Sequence, residues 1–494
     1  MDTVAIESQP HQAAAPSAGG NGVPANLAGR ETPAQAPAPP LMQIGQPSGQ
    51  PGGNIDYELF LDCVHCGLCT ASCPTYVETG NENDSPRGRI YLMRAVRDER
   101  LELNHEVRRH LELCLDCRAC ETACPSGVQY GKLIEPFRVS MEQPASAGVQ
   151  KTKTDDWFHR YILFGLFPYP DKLRLSLRPA RVAQTLGLDK LMINTGLWRL
   201  LPPRLGRLVT LLPKLEKPAP PLPEFLAAKT RRRARVALFT GCVGDVMFRQ
   251  TNWATARVLQ ENGCDVVVPQ NQVCCGAIHF HAGSSDPARK MADQNAAAFD
   301  PSSVDAIIVN IAGCGSMLKD YGHHWDVGRA SRLPEGDGQR TEDRGQEARE
   351  QFAAKVRDVS QFLDELGLLA PPGEIRLTAT YHDACHLAHA QKVREQPRNL
   401  LKKVPGLKLV ELPESELCCG AAGTYNLTEP EMADRLGKRK LDNIRRTGAR
   451  LVVTANAGCL LQIAREARLQ GEALKIMHPM DLLDLSYRRE QVRF

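Results

Sequence analysis

The chain has 494 residues, 42% of them hydrophobic, with 61 Lys and Arg against 57 Asp and Glu. That length predicts two to four domains with enough core to fold without disulfide staples, and the near-neutral charge, with no basic stripe interleaved with aromatics, excludes a nucleic-acid binder. Seventeen cysteines, most of them in tight clusters, fit metal binding in a reducing compartment better than a secreted disulfide framework.

Residues 1–54 are rich in Ala, Pro, Gly and Gln, and a disordered tail is expected there. The first 20 residues include Asp2 and Glu7 and no apolar core of a signal peptide, and no apolar run in the chain is long enough to span a membrane. A cytoplasmic location is expected, with peripheral attachment to the inner face of the cell membrane left open.

Residues 55–142 carry two cysteine runs, Cys63-Val-His-Cys-Gly-Leu-Cys-Thr-Ala-Ser-Cys-Pro74 and Cys114-Leu-Asp-Cys-Arg-Ala-Cys-Glu-Thr-Ala-Cys-Pro125. Amphipathic helices are expected over Arg87–Arg97 and Asn104–Leu113, which makes this a small α-helical unit. The spacing C-x2-C-x2-C-x3-C-P, present twice, is that of a two-[4Fe–4S] ferredoxin-type domain, in which the fourth cysteine of each run serves the other cluster. Cys63, Cys66, Cys69 and Cys124 are therefore assigned to one cluster, and Cys114, Cys117, Cys120 and Cys73 to the second. Zinc would use only two C-x2-C pairs per ion and would leave the x3-C-P element unexplained.

Residues 143–233 form a basic, proline-broken connector. Over 151–233 there are 17 Lys and Arg against six Asp and Glu. Two readings stay open: short helices packed on the neighbouring domains, or a surface for partner subunits or anionic lipid headgroups.

From 234 an internal repeat begins. Strands are expected at Arg235–Cys242, Asp265–Pro269 and Ala306–Ile311, with helices at Asn252–Asn262 and Asp286–Phe299. The second copy has strands at Arg376–Cys385, Lys408–Glu411 and Leu451–Asn456, with helices at Gln396–Lys403 and Glu429–Arg446. Each copy, 234–325 and 373–494, reads as a βαβαβ module with cysteines just past its strands, and 326–372 reads as a charged exposed loop and linker helix. The thiols are in register: Cys242 to Cys274 is 32 positions and Cys385 to Cys418 is 33, while Cys275 to Cys314 is 39 and Cys419 to Cys459 is 40. Cys242, Cys274, Cys275 and Cys314, and Cys385, Cys418, Cys419 and Cys459, are expected to hold a further cluster in one or both copies. Cys264 falls outside this pattern and is expected in the core. Ligand, proton-relay, sulfur-bonding and plain structural roles stay open for His279, His281, His382, His386 and His389.

The fold class is thus α+β and multidomain: a small ferredoxin-type domain followed by two α/β modules, each built around Cys-Cys-Gly. No G-x-G-x-x-G follows a strand and no G-x-x-x-x-G-K-[ST] occurs, so FAD, NAD and ATP are not expected in this chain. An electron carrier that needs a partner to meet its organic substrate is the consequence, with no catalytic residue of its own.

Five segments carry a family resemblance: Cys63-Val-His-Cys-Gly-Leu-Cys-Thr, Ser85-Pro-Arg-Gly-Arg-Ile-Tyr-Leu92, Cys124-Pro-Ser-Gly127, Leu417-Cys-Cys-Gly-Ala-Ala-Gly-Thr-Tyr425 and Val453-Thr-Ala-Asn-Ala-Gly-Cys459. From about residue 58 onward the chain resembles the iron–sulfur subunit of glycolate oxidase (glycolate dehydrogenase). The ferredoxin and Cys-Cys-Gly motifs are shared with iron–sulfur subunits of glycerol-3-phosphate dehydrogenase, lactate-utilisation proteins and heterodisulfide reductase. The resemblance implies FAD-containing partner subunits that oxidise glycolate to glyoxylate, with electrons passing through this chain to a quinone or another acceptor. Many Cys-Cys-Gly modules end in C-x-x-C, but here Met317 and Gln462 stand at the last position. The missing fifth thiols argue against a heterodisulfide-reductase-like catalyst, the alternative reading.

Overall fold

The computed structural model describes residues 50–143, 152–215, 219–325, 337–369 and 373–494. The expected tail lies outside the described residues up to position 49. Residues 50–54 differ from that expectation, because they are packed. Gly52 donates its backbone N–H to Ser140 Oγ at 2.9 Å. With φ at +82°, a Cβ on Gly52 would strike the Phe137 ring at 2.7 Å.

The dicluster unit is a set of short helices, chiefly Pro86–Arg97, His105–Glu112 and Gly131–Met141. Ser85 starts the first, its side chain accepting from Gly88 N at 3.0 Å, with Pro86 in the first turn. Phe60, Met93, Leu111, Leu133, Ile134 and Phe137 close the core of this unit.

Each Cys-Cys-Gly module is a parallel sheet. In the first, β1 (Phe225–Leu226), β2 (Ala234–Phe239), β3 (Cys264–Val267), β4 (Ala306–Val309) and β5 (Val356–Asp358) lie in the order β1-β3-β2-β4-β5. Only β1 runs antiparallel to its neighbour. In the second, β6 (Leu377–Tyr381), β7 (Leu407–Val410), β8 (Leu451–Val453) and β9 (Lys475–Met477) lie in the order β7-β6-β8-β9, all parallel. The two orders superpose strand for strand once the edge strand β1 is set aside. Val236–Phe239, Ala306–Val309 and Leu451–Val453 of the central strands are uninterrupted apolar runs, as a parallel sheet covered on both faces favours.

Of the stretch expected to be an exposed loop and linker helix, 326–336 and 370–372 lie outside the described residues, Val359–Leu366 is a helix, and the part read as loop differs from that expectation. Asp337–Lys355 is a helix, and β5 pairs with β4 as a fourth strand of the first module. The sequence there is too polar and the strand too short, at three residues, to announce itself.

The modules dock through one shared core containing Val258, Leu259, Leu363, Leu400, Leu401 and Leu482. Helix Arg249–Glu261 of the first packs on Pro479–Tyr487 of the second, and Val359–Leu366 packs on Glu395–Lys402. Arg257 grips Asp484 with two bonds of 2.7 Å across the first contact. This arrangement turns the carboxyl ends of both sheets toward each other.

Candidate metal centres

In each sheet the chain passes from the first module strand to one neighbour and then back to the opposite neighbour. The switch falls between β2 and β4, and between β6 and β8. Ligands of open α/β sheets sit outside the carboxyl ends at such a point. Cys242 follows β2 and Cys314 lies in the first turn of helix Ala312–Lys319 after β4. Cys385 follows β6 and Cys459 lies in the first turn of helix Ala457–Leu469 after β8. Cys274-Cys275 and Cys418-Cys419 enter on the loops after β3 and β7.

The thiols converge. Cys242 Sγ lies 3.3 Å from Cys274 Sγ, and Cys385 Sγ lies 3.9 Å from Cys418 Sγ. The Cys275 thiol accepts from Cys274 and Cys314, which holds it well below the usual thiol range, while Cys274 and Cys314 are pushed well above it. Four thiols in one dry crevice thus share protons that a bound metal would release. Gly276 and Gly420 make the turns after the cysteine pairs, with φ of +87° and +85°. A Cβ there would meet Ala288 at 3.2 Å and Ala433 at 2.9 Å, so the loop lies directly on the following helix. A cavity of about 420 Å³, lined by Cys242, Cys275, Cys314, Cys385, Cys418 and Cys459, joins the two sets. Ile162, Leu166 and Phe167 of the linker are among its walls.

In the dicluster unit the eight thiols also fall into two groups. Cys63, Cys66, Cys69 and Cys124 line one small cavity, and Cys73, Cys114 and Cys117 line the next, with Cys120 on both. Each run therefore sends its last cysteine to the other group. The two loops share a backbone: His65 and Asp116, the second residues between paired cysteines, have φ of 55° and 50°, and Gly67 and Arg118 have φ of 86° and 59°. These left-handed turns aim peptide N–H groups at sulfur, as Asp116 N does at Cys114 Sγ, 3.3 Å away. Soft thiol donors, N–H bonds to sulfur and burial are what an iron–sulfur cluster needs. The residues present fit that group at all four places.

The Pro-Arg-Gly-Arg stretch served the sequence reading only as a signature, and the structure gives it a task. Arg87 Nη1 donates to His65 O at 2.9 Å, holding the first cysteine loop. Arg89, only 1% exposed, donates to His110 O at 2.8 Å and Thr75 Oγ1 at 3.0 Å and lies 3.8 Å from Cys73 Sγ. A buried cation beside a thiol is not legible from an amphipathic pattern that makes Arg solvent-facing. Tyr130, whose hydroxyl donates toward Cys114 Sγ at 3.6 Å, belongs to no motif that would mark it.

The histidines are brought to the seams. His386 Nε2 donates to Asp116 O at 2.9 Å, and His389 Nδ1 bonds Thr122 Oγ1 at 3.0 Å, so both clamp the dicluster unit to the second module. His281 lies 3.4 Å from both Asp116 and Glu135. Burial opposes its charge, but those carboxylates outweigh it and push it up to about 10. His382 is pushed down to about 3 by burial and by Lys440. Its Nδ1–H donates to Ser415 O at 3.0 Å, and a ligand nitrogen of His382 lies within 4.8 Å of Cys419 and Cys459 sulfurs. His279 is buried, its ring tilted against Phe164 with centroids 4.7 Å apart. Cys264 is fully buried in β3, away from the quartets, its thiol pushed up to about 12 by burial.

A dicluster thiol unit joined to two paired thiol modules defines an iron–sulfur protein. Residues 60–128 match the model of the 4Fe-4S dicluster domain, and 236–319 and 379–464 match two copies of the Cysteine-rich domain. Residues 154–212 match the linker region of the glycolate oxidase iron–sulfur subunit. The chain is 38% identical over 443 residues to the probable glycolate oxidase iron–sulfur subunit of Bacillus subtilis, covering 87% of this chain and 94% of that one. It is 32% identical over 441 residues to the glycolate oxidase iron–sulfur subunit of Escherichia coli, with the same coverage. Lactate utilization protein A of Oceanobacillus iheyensis is 32% identical over 251 residues, about half of this chain and 96% of that protein. The chain belongs to the glycolate oxidase iron–sulfur subunit family.

Proposed function

We propose that the chain is the electron-transfer subunit of a flavin-dependent glycolate dehydrogenase. A partner subunit carrying FAD takes two electrons and two protons from glycolate, leaving glyoxylate, and this chain delivers the electrons to a quinone or another acceptor. Cys63, Cys66, Cys69 and Cys124 would hold one [4Fe–4S] cluster, and Cys73, Cys114, Cys117 and Cys120 a second. One or both Cys-Cys-Gly quartets would hold a further cluster. Bound clusters supply reversible one-electron carriage. The protein's own part is to bury the thiols, aim N–H groups and cations at sulfur, and fix the spacing.

The observation that carries this reading is continuity. Cys117 of the dicluster unit packs in one buried cluster with Cys385 and Cys418 of the second module. No long gap separates the two kinds of thiol site. The side chains at the fifth-thiol positions are occupied otherwise: Met317 is fully buried, and Gln462 donates to Ala433 O at 3.0 Å and accepts from Asn426. Both support electron carriage over disulfide reduction.

The test is to purify the complex without oxygen and add glycolate. Bleaching of the iron–sulfur absorbance at the rate of flavin reoxidation, with glyoxylate formed in step, is expected. A complex that makes glyoxylate at full rate while these centres stay oxidised would end the proposal.

A further inference from the structure

We infer that the outer half of the linker is a docking surface for an anionic lipid bilayer. This goes beyond the electron-transfer reading and does not depend on it. The linker has two unlike halves. Its inner half is anchored to both modules. Phe158 and Leu163 are fully buried, Arg174 pairs with Asp245 of the first module at 2.9 Å, and Arg207 pairs with Asp434 of the second. Arg468 donates to the carbonyls of Thr210 and Leu212.

The outer half, about 178–200, contains no buried residue. Helices Arg178–Thr185 and Leu188–Thr195 contain no buried residue at all. Yet their composition is that of a buried surface. Ten of the seventeen exposed large apolar side chains among the described residues lie between 157 and 200, with Leu186 at 69% and Leu200 at 81% exposed. Apolar exposure concentrated in one segment marks an interaction site.

The chemistry of the partner follows from the charges. Residues 170–200 hold six Lys and Arg against two Asp. Arg178, Arg181, Lys190 and Arg199 are in no ion pair among the described residues. Each exposed aliphatic residue, Leu175, Val182, Leu186, Leu188, Leu191, Leu197 and Leu200, has an Arg or Lys within four positions. The apolar centre of a protein interface is depleted of charge. Apolar side chains mixed with long cations suit the boundary between acyl chains and anionic headgroups, where the aliphatic stems bury and the charged ends reach phosphate. Exposed Trp157, Tyr161 and Tyr169 at the base of this half are the ring types that settle at headgroup depth. No helix among the described residues is long and apolar enough to cross a membrane, so the contact is in plane.

The experiment is flotation of the intact complex with vesicles of phosphatidylcholine alone or of phosphatidylcholine with phosphatidylglycerol. Three forms are compared: the natural sequence, L186Q/L191Q/L200Q and R178Q/R181Q/R199Q, with L369Q, an exposed apolar residue elsewhere, as control. Iron content and glycolate-driven dye reduction report folding and electron transfer in each. The natural sequence and L369Q should float with the anionic vesicles. The leucine variant should lose at least about tenfold in partitioning on them. The arginine variant should fall to the level seen on phosphatidylcholine. Failure of the natural sequence to float, or unchanged flotation of both triple variants, overturns the inference. So does loss of the flavoprotein partner with flotation intact, which would make this half a protein interface. A complex that floats but fails to reduce dye with glycolate counts only against the electron-transfer reading.

Discussion

The two Cys-Cys-Gly modules share a strand order and a thiol pattern, yet they surround their thiols differently. Seven residues beyond the contact of each Cys-Cys-Gly turn, the first module has Asn295 and the second has Lys440. Asn295 Nδ2 donates to Cys274 O at 3.1 Å, and its carbonyl accepts from Val273 N at 2.9 Å. Lys440, almost wholly buried, reaches the Glu414 and Ser415 carbonyls of the matching loop. Three residues before the first thiol stands Phe239 in one module and His382 in the other. The second module packs its thiols Cys385 and Cys418 against Cys117 of the dicluster unit, whereas the first meets that unit through His281 and Asp320 and its thiols face the shared cavity. A duplicated scaffold keeps the fold that places four thiols and varies the charge around them. The scaffold makes a site, and the neighbours decide its potential and its place in the route.

Breaking the quartets should give the largest contrast. C418S/C419S should abolish glycolate-to-acceptor turnover while flavin reduction by glycolate continues. C274S/C275S should leave at least about a tenth of the turnover, because the thiols of that module are not the ones packed against a dicluster thiol. Stopped-flow measurement of flavin and of acceptor separates the two, and equal loss in both variants would remove the asymmetry.

The turn glycines come next. G420A forces a left-handed alanine against Ala433 at 2.9 Å and should cost about 2–4 kcal/mol. G276A, with 3.2 Å to Ala288, should cost about 1–3 kcal/mol. Thermal unfolding should therefore drop further for G420A, and the reverse order would mean that the second loop yields more easily.

How far the sequence reaches is plain from these elements. The strands flanking the thiols were legible because Val236–Phe239, Ala306–Val309 and Leu451–Val453 are unbroken apolar runs. The thiol groupings followed from spacing alone. The fourth strands were not legible, because Val356-Arg-Asp358 and Lys475-Ile-Met477 are three residues long and carry charges. Helix Asp337–Lys355 hid behind Gly338 and Gly345 and a polar composition. Lys440 and Arg89 sat among surface-like residues of amphipathic helices, and only packing turns them toward sulfur.

A smaller effect is expected from the charge difference itself. K440Q removes a buried cation that lies near Cys418, Cys419 and Cys459. The potential of a centre in the second module should fall by roughly some tens of millivolts. N295D, which adds an anion to the first module, should leave that centre almost unmoved. A redox titration followed by electron paramagnetic resonance checks both, and an unchanged potential in K440Q would show that Lys440 serves the fold alone.

The smallest effect is a pair of opposed pH responses at matching helix starts. Asp358 caps Val359–Leu366, accepting from Ser360 N at 2.7 Å, and burial pushes it up to about 6. His478 caps Pro479–Tyr487, accepts from Met480 N at 3.1 Å and donates to Asn310 O at 2.7 Å. Burial pushes His478 down to about 4. The His478 contribution is present above its unfolded value of about 6.5 and is lost as pH falls toward 4. The Asp358 contribution is present below about 4 and is lost as pH rises through 6. Between about pH 4 and 6, stability should rise more steeply with pH in D358N and less steeply, or fall, in H478Q. Parallel profiles for both variants would remove the assignment.

The most direct test of the central claim, that the Cys-Cys-Gly thiols hold metal in series with the dicluster unit, is the iron and acid-labile sulfide count of anaerobically purified protein. The dicluster unit alone accounts for about eight irons and about eight sulfides. The structure predicts more than that in the natural sequence, with about four irons lost in C418S/C419S. A count of about eight that is unchanged in both C418S/C419S and C274S/C275S would contradict the account and leave the repeat a purely structural pair of modules.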